Sequence, residues 1–175
     1  MSRKKIFDEI NEHVGTEREP NIRDKQNLTY LKAAIMETQR LASIVPNSVP
    51  RTCHSDMQVR GYTIPKDSFI LPCLDSVLHD SQIWGYDVMA FNPERFISQD
   101  GQLQMPEEFI PFSVGNRTCL GENMAKTSLF LYISNMIQKF EFQPAVLGQP
   151  PPLKYISGFI LSPERYQVKI IARSI

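Results

Sequence analysis

From His79 to Pro111 the chain is punctuated by Pro, Gly, Asn and Asp and carries no sustained helical or alternating apolar period. A long irregular run of this kind inside a globular domain goes with function, or with packing against something large. It constrains the fold more than any regular segment does, because helices and short hairpins must be arranged around it. No internal repeat is visible, and strands do not alternate with helices in βαβ fashion.

The regular segments lie on either side. Ile6, Ile10 and Val14 fall at i, i+4 and i+8, which predicts a helix over residues 3–14 ended by Gly15. A polar loop from Thr16 to Asn27 follows. Asn27 is the expected N-cap of a second helix that carries Leu31, Ala34, Ile35, Thr38 and Leu41 on one side. Pro46 and Pro50 impose an extended segment. Met57–Arg60 and Tyr62–Ile64 alternate around Gly61 as a hairpin would, and Ser68–Leu71 reads as a further strand.

Residues 120–140 return to a helical period through Met124, Phe130 or Leu131, Ile133, Ile137 and Phe140. Pro144 and the run Pro150-Pro151-Pro152 break it. Two strand-like pieces, Tyr155–Leu161 and Tyr166–Ala172, are expected in the tail, joined at Ser162-Pro163-Glu164-Arg165. The pattern is α+β, mostly helical with small β-sheets.

Composition narrows the function. With 42% hydrophobic and 22% charged residues the chain is globular, and 175 residues suffice for one domain. Lys plus Arg and Asp plus Glu number 19 each, so no net field draws nucleic acid, and no nucleic-acid partner is expected. There is no secretory leader pattern and no run near the ~20 apolar residues that span a bilayer, so the chain as given reads as soluble or peripheral. Cys53, Cys73 and Cys119 form no paired framework and no C-x-x-C, which fits a reducing compartment. Cys53 and Cys73 are expected to be packed. His13, His54 and His79 read as isolated loop or surface residues without metal-ligand spacing.

The chemistry concentrates in Phe112-Ser113-Val114-Gly115-Asn116-Arg117-Thr118-Cys119-Leu120-Gly121. This is a Gly-bent loop delivering one cysteine to the start of a long helix. Gly115 permits a positive φ, and Gly121 lets a flat ligand approach the backbone closely. Amides at a helix start favour the thiolate form of a cysteine, and Arg117 can pair with a ligand carboxylate. On its cysteine alone the segment would read as a buried structural thiol. Glu37-Thr38-Gln39-Arg40 places Glu and Arg at i, i+3 on one helix face, which alone would be an ordinary surface pair.

Taken together, F-x-x-G-x-R-x-C-x-G, the E-x-x-R of Glu37 and Arg40, and Pro93-Glu94-Arg95-Phe96 resemble, in that order, signatures of the cytochrome P450 superfamily. The resemblance runs nearly end to end. It implies the P450 fold, with residues 1–175 as the C-terminal, haem-ligating part of a single domain. The distal oxygen-activating helix and the membrane anchor would then lie upstream. It implies haem b with Cys119 as the axial ligand, Arg117 and Arg51 anchoring propionates, and Phe112 shielding the sulfur. Glu37, Arg40 and Arg95 would form a buried network. The Val45–Cys53 stretch and the turn Gly158–Leu161 would border the substrate pocket.

The implied activity is monooxygenation of a lipophilic substrate, with electrons from NADPH through a flavoprotein reductase that Lys126 and Lys139 could meet. The parent protein would sit at the cytoplasmic face of the endoplasmic reticulum membrane, in the microsomal drug- and steroid-metabolising branch that Val77-Leu78-His79-Asp80 suggests. Without the upstream helices, these 175 residues are expected not to work as a monooxygenase. Two other readings are a non-catalytic haem-binding or reductase-interacting remnant, and an interaction domain in which Cys119 is structural.

Overall fold

In the computed structural model, which describes residues 2–152 and 154–173, one helix is buried on nearly every side. Helix α1 spans Ser2–His13 and α2 spans Thr29–Ala42. On α2, Leu31, Ala34 and Ile35 pack with Ile6 and Ile10 of α1, Leu28 and Phe130. Ala33 and Met36 belong to a second cluster with Leu78, Trp84, Phe96 and Phe109. The one-sided stripe expected for α2 is therefore too narrow. Ala33, Met36, Glu37, Gln39 and Arg40 are buried as well, while Thr38 is exposed and bonds back to the Ala34 carbonyl. A helix that faces packed neighbours all round loses its amphipathic signature.

The start of α2 also departs from expectation. Leu28, not Asn27, is the N-cap, and its side chain caps nothing. Instead the Glu9 carboxylate, reaching across from α1, accepts the N–H groups of Tyr30 at 2.7 Å and Leu31 at 2.9 Å. Asn27 closes a 3₁₀ turn over Ile22–Gln26, inside the stretch expected as loop, which Asn21 and Asp24 open with reciprocal side-chain caps.

The strands form four two-stranded antiparallel sheets among the described residues. Arg51–Thr52 (β1) pairs with Phe69–Ile70 (β4), and Met57–Val59 (β2) with Tyr62–Ile64 (β3). Arg60 and Gly61 both take positive φ in the tight turn between β2 and β3, which suits the strand twist of a two-residue hairpin. Short helices α3 (Leu74–Leu78) and α4 (Ser81–Trp84), then a 3₁₀ turn over Pro93–Phe96, are the regular pieces leading into and within the irregular run.

Helix α5 spans Glu122–Lys139 and gives way at once to strand β5, Phe140–Pro144. Phe140 thus begins a strand rather than closing the helix. Met124 lies exposed on α5, so it does not belong to the buried stripe. The tail does not fold as one hairpin. Tyr155–Ile156 (β6) pairs with Ser162–Pro163 (β7), whereas Val168–Ala172 (β8) returns to β5. The β5 partner supplies the ladder bonds that the expected neighbour would have supplied. Among the described residues no helix is long and apolar enough to cross a membrane.

The irregular run is held by side chains where backbone pairing is sparse. Glu37 and Arg40 are fully buried, with Arg40 Nε 2.7 Å from Glu37 Oε2 and Nη2 2.9 Å from Oε1. Arg40 also donates to the carbonyls of Leu78 at 2.8 Å and Val88 at 2.5 Å, and lies over the Trp84 ring. Arg95 Nε lies 3.4 Å from Glu37 Oε1, and its other nitrogens donate to the carbonyls of Trp84 and Asp87 and to the Asp87 carboxylate. That hydrogen bond holds the Asp87 carboxyl below its ordinary range. The Asn92 N–H closes the set on Glu37 Oε1 at 3.0 Å. Carbonyls that a sheet would satisfy are satisfied here by two guanidiniums.

Candidate functional site

The loop before α5 is built to present a sulfur. Ser113 and Gly115 both adopt left-handed backbone, at φ +64° and +75°. A short 3₁₀ turn over Gly115–Arg117 then brings the Cys119 N–H back to the Phe112 carbonyl at 3.0 Å. The Thr118 hydroxyl donates to the same carbonyl at 3.2 Å. Glu122 N–H bonds the Cys119 carbonyl, so the helix starts directly behind the thiol, with Gly121 as its N-cap. Gly121 has ordinary dihedrals. An added Cβ would meet only the Cys119 sulfur, at 3.8 Å, so what the glycine provides is space beside the sulfur rather than unusual backbone.

Cys119 is exposed and faces a cavity of about 470 Å³. Its wall is mostly apolar: Ile44, Val45 and Val49 on one side, Phe112 near the sulfur, and Phe159 from the tail. Arg117 is among the lining residues. Arg51 approaches from β1, where its Nη2 donates to Ser113 Oγ at 3.0 Å. Its Nε is buried and has no hydrogen-bond partner among the described residues. The Ser113 hydroxyl also meets Ser48 Oγ at 3.4 Å. Among the described residues no group of three or more His, Cys, Asp or Glu side chains could hold a metal ion.

The structure thus brings Cys119, Phe112 and Arg117 around one cavity, with Arg51 joined to it through Ser113 and with Gly115 and Gly121 shaping the loop. Glu37, Arg40 and Arg95 lie outside the cavity, but Gln39 of the same helix lines it. Ser113 and Gln39 escape sequence reasoning. A serine with positive φ has no local signal, and Gln39 reads as the spacer of E-x-x-R.

Two expectations about other residues fail. Cys73 is exposed, standing at the N-cap of α3, whereas Cys53 is buried with its thiol directed at the Ser55 carbonyl. His79 is not a surface histidine: Nδ1 pairs with Asp75 Oδ1 at 3.0 Å, and Nε2 is buried. One turn of α3 brings those two side chains together. Lys126 and Lys139 each pair with a carboxylate of this chain, Glu122 and Glu19.

An exposed thiol at a helix start thus stands beside a mostly apolar cavity, with Arg117 among the lining residues and Arg51 joined to it through Ser113. Comparison with known proteins gives the family. Residues 2–170 match the family model described as Cytochrome P450. Over 172 residues the chain is 37% identical to cytochrome P450 2E1 of Oryctolagus cuniculus, covering 98% of this chain and 35% of the relative. It is 39% identical over 165 residues to cytochrome P450 2D3 of Rattus norvegicus, covering 94% and 33%. It is 36% identical over 171 residues to cytochrome P450 2S1 of Homo sapiens, covering 95% and 33%. The chain belongs to the cytochrome P450 family. It spans about a third of the length of these relatives.

Proposed function

We propose that this chain is the C-terminal, haem-ligating part of a single cytochrome P450 domain, and that Cys119 would hold the haem iron as its thiolate ligand. The observation that carries the reading is the exposed Cys119 thiol opening on the apolar cavity at the head of α5. The residues fit haem b. An apolar wall suits the macrocycle, and the buried Nε of Arg51, without a partner among the described residues, together with Arg117 in the lining suits two propionates.

When bound, haem supplies the dioxygen chemistry of a monooxygenase, which places one oxygen atom in a lipophilic substrate. The chain's own residues bind and orient. Cys119 would hold the iron through its sulfur and tune it by donating electron density. Arg51 and Arg117 fix the carboxylate edge, and Phe112 limits water near the sulfur. Ile44, Val45, Val49 and Phe159 offer apolar contact to a substrate beside the ring. Glu37, Arg40 and Arg95 act as positioning residues that hold the irregular run leading into the cysteine loop.

In this reading NADPH supplies electrons through a flavoprotein reductase. Lys126, with Nζ 5.7 Å from the Phe112 ring centre, would be one contact for that partner. The parent protein works at the cytoplasmic face of the endoplasmic reticulum membrane. Met124, Tyr132 and Met136 lie exposed along α5, with Leu120 exposed just before it, which supports packing against further parts of the domain.

The test is the carbon monoxide spectrum of the reduced parent protein. The wild type shows the strongly red-shifted Soret band of thiolate ligation, Cys119→His abolishes it, and Cys53→Ser and Cys73→Ser retain it. Loss of the band in Cys53→Ser or Cys73→Ser with retention in Cys119→His overturns the assignment.

A further inference from the structure

Two bonds from consecutive residues close the loop that delivers Cys119. The Phe112 carbonyl accepts the Cys119 N–H at 3.0 Å and, on its second lone pair, the Thr118 hydroxyl at 3.2 Å. The Ser113 carbonyl is a longer alternative acceptor for that hydroxyl, at 3.4 Å. Thr118 is tied at its backbone as well, where its N–H bonds the Gly115 carbonyl at 3.0 Å. Residue 118 therefore joins the turn over Gly115–Arg117 to the limb of chain that enters it.

That limb needs a tie. Ser113 stands at φ +64°, a conformation that a residue with a Cβ adopts only at an energetic cost. Phe112, just before it, lines the same cavity as Cys119. Thr118 is exposed, so its bond adds no more than an ordinary increment to stability. Water can satisfy the Phe112 carbonyl when the bond opens, but it cannot hold that carbonyl against residue 118. What the hydroxyl contributes is the placement of Phe112 beside the residue that carries the sulfur.

We propose that Thr118 is a positioning residue, whose hydroxyl clips Phe112 beside Cys119 and so limits water near the sulfur. The proposal rests on the assignment of Cys119 as the iron's ligand. The pattern F-x-x-G-x-R-x-C-x-G leaves position 118 open, so the hydroxyl belongs to this chain rather than to the signature.

The test follows the parent protein, reduced and under carbon monoxide, at one temperature below its melting midpoint. Decay of the red-shifted Soret band to an unshifted one reports loss of thiolate ligation. Thr118→Val keeps the side chain's shape and removes the donor. It should speed the decay about fivefold, the effect of losing one ordinary hydrogen bond, while the melting midpoint moves by no more than about 2 °C. Thr118→Ser keeps the donor and should decay at the wild-type rate. Thr118→Ala also lacks the donor, should match Thr118→Val, and decides the question if valine is not tolerated. Wild-type decay in the variants without a donor overturns the proposal, as does equal acceleration in Thr118→Ser. A midpoint that falls in step with the decay would mark a general loss of fold and overturn it too. Absence of the red-shifted band from the unaltered parent would instead sink the Cys119 assignment, and this proposal with it.

Discussion

Replacing Glu37 by Gln removes one charge and little volume, and the structure sets what that should cost. Glu37 and Arg40 are both 0% exposed, so water cannot replace the lost partner. The carboxylate accepts from Arg40 Nε and Nη2, from the Asn92 N–H and from Arg95 Nε. An amide keeps one accepting oxygen and turns an NH₂ group toward the guanidinium donors. Leaving a buried guanidinium unpaired costs about 3–5 kcal/mol. For a chain of this size each kcal/mol moves the melting midpoint by about 2–4 °C, so Glu37→Gln should melt about 6–20 °C lower. Thermal and urea unfolding followed by circular dichroism measures this. The Lys4–Asp8 pair, with side chains 82% and 54% exposed, is the internal reference, and Asp8→Asn should change stability by about 0.5 kcal/mol or less. A Glu37→Gln loss of about 1 kcal/mol or less would mean that the network anchors nothing, and the account of how the irregular run is held would fall with it.

Glu9→Gln weakens the inter-helix cap of Tyr30 and Leu31 and should cost about 1 kcal/mol, measured by urea unfolding, whereas Asn27→Ala, whose side chain takes no part in that cap, should cost less. Asp24 bonds Arg18 through both oxygens, which holds its carboxyl below the ordinary 3.8. Its folded value is the depressed one, so its contribution is present above pH 3.8 and is lost as pH falls through the lower folded value. Acid titration of stability should therefore be shallower in Asp24→Asn, and an unchanged titration would refute the pairing. The 175-residue polypeptide supplied with haem, NADPH and reductase should give no coupled hydroxylation of lipophilic substrates. Product at ordinary turnover would show that these residues suffice alone.

What could be read from the sequence depended on whether a residue's meaning is local. The cysteine loop was legible because Gly115, Arg117 and Cys119 sit within one short turn, and the hairpin around Gly61 was legible because its turn chemistry is contiguous. The buried network was partly legible. Glu37 and Arg40 share a helix face, but nothing local says that Arg95, 58 residues on from Glu37, donates to the same carboxylate. The cap of α2 was not legible at all, because Glu9 acts from another helix. The tail failed for a related reason: nothing in β8, Val-Lys-Ile-Ile-Ala, selects its partner locally, and its choice of β5 over the nearer strand is a long-range pairing. The irregular run shows the principle at its largest scale. Its composition says that backbone pairing is missing, while the compensation, two guanidiniums taking the carbonyls of Leu78, Trp84, Asp87 and Val88, is supplied in part by α2, well before the run begins. The ordering of that stretch therefore depends on a helix it does not belong to, and the cysteine loop that follows inherits its position from the same buried charges.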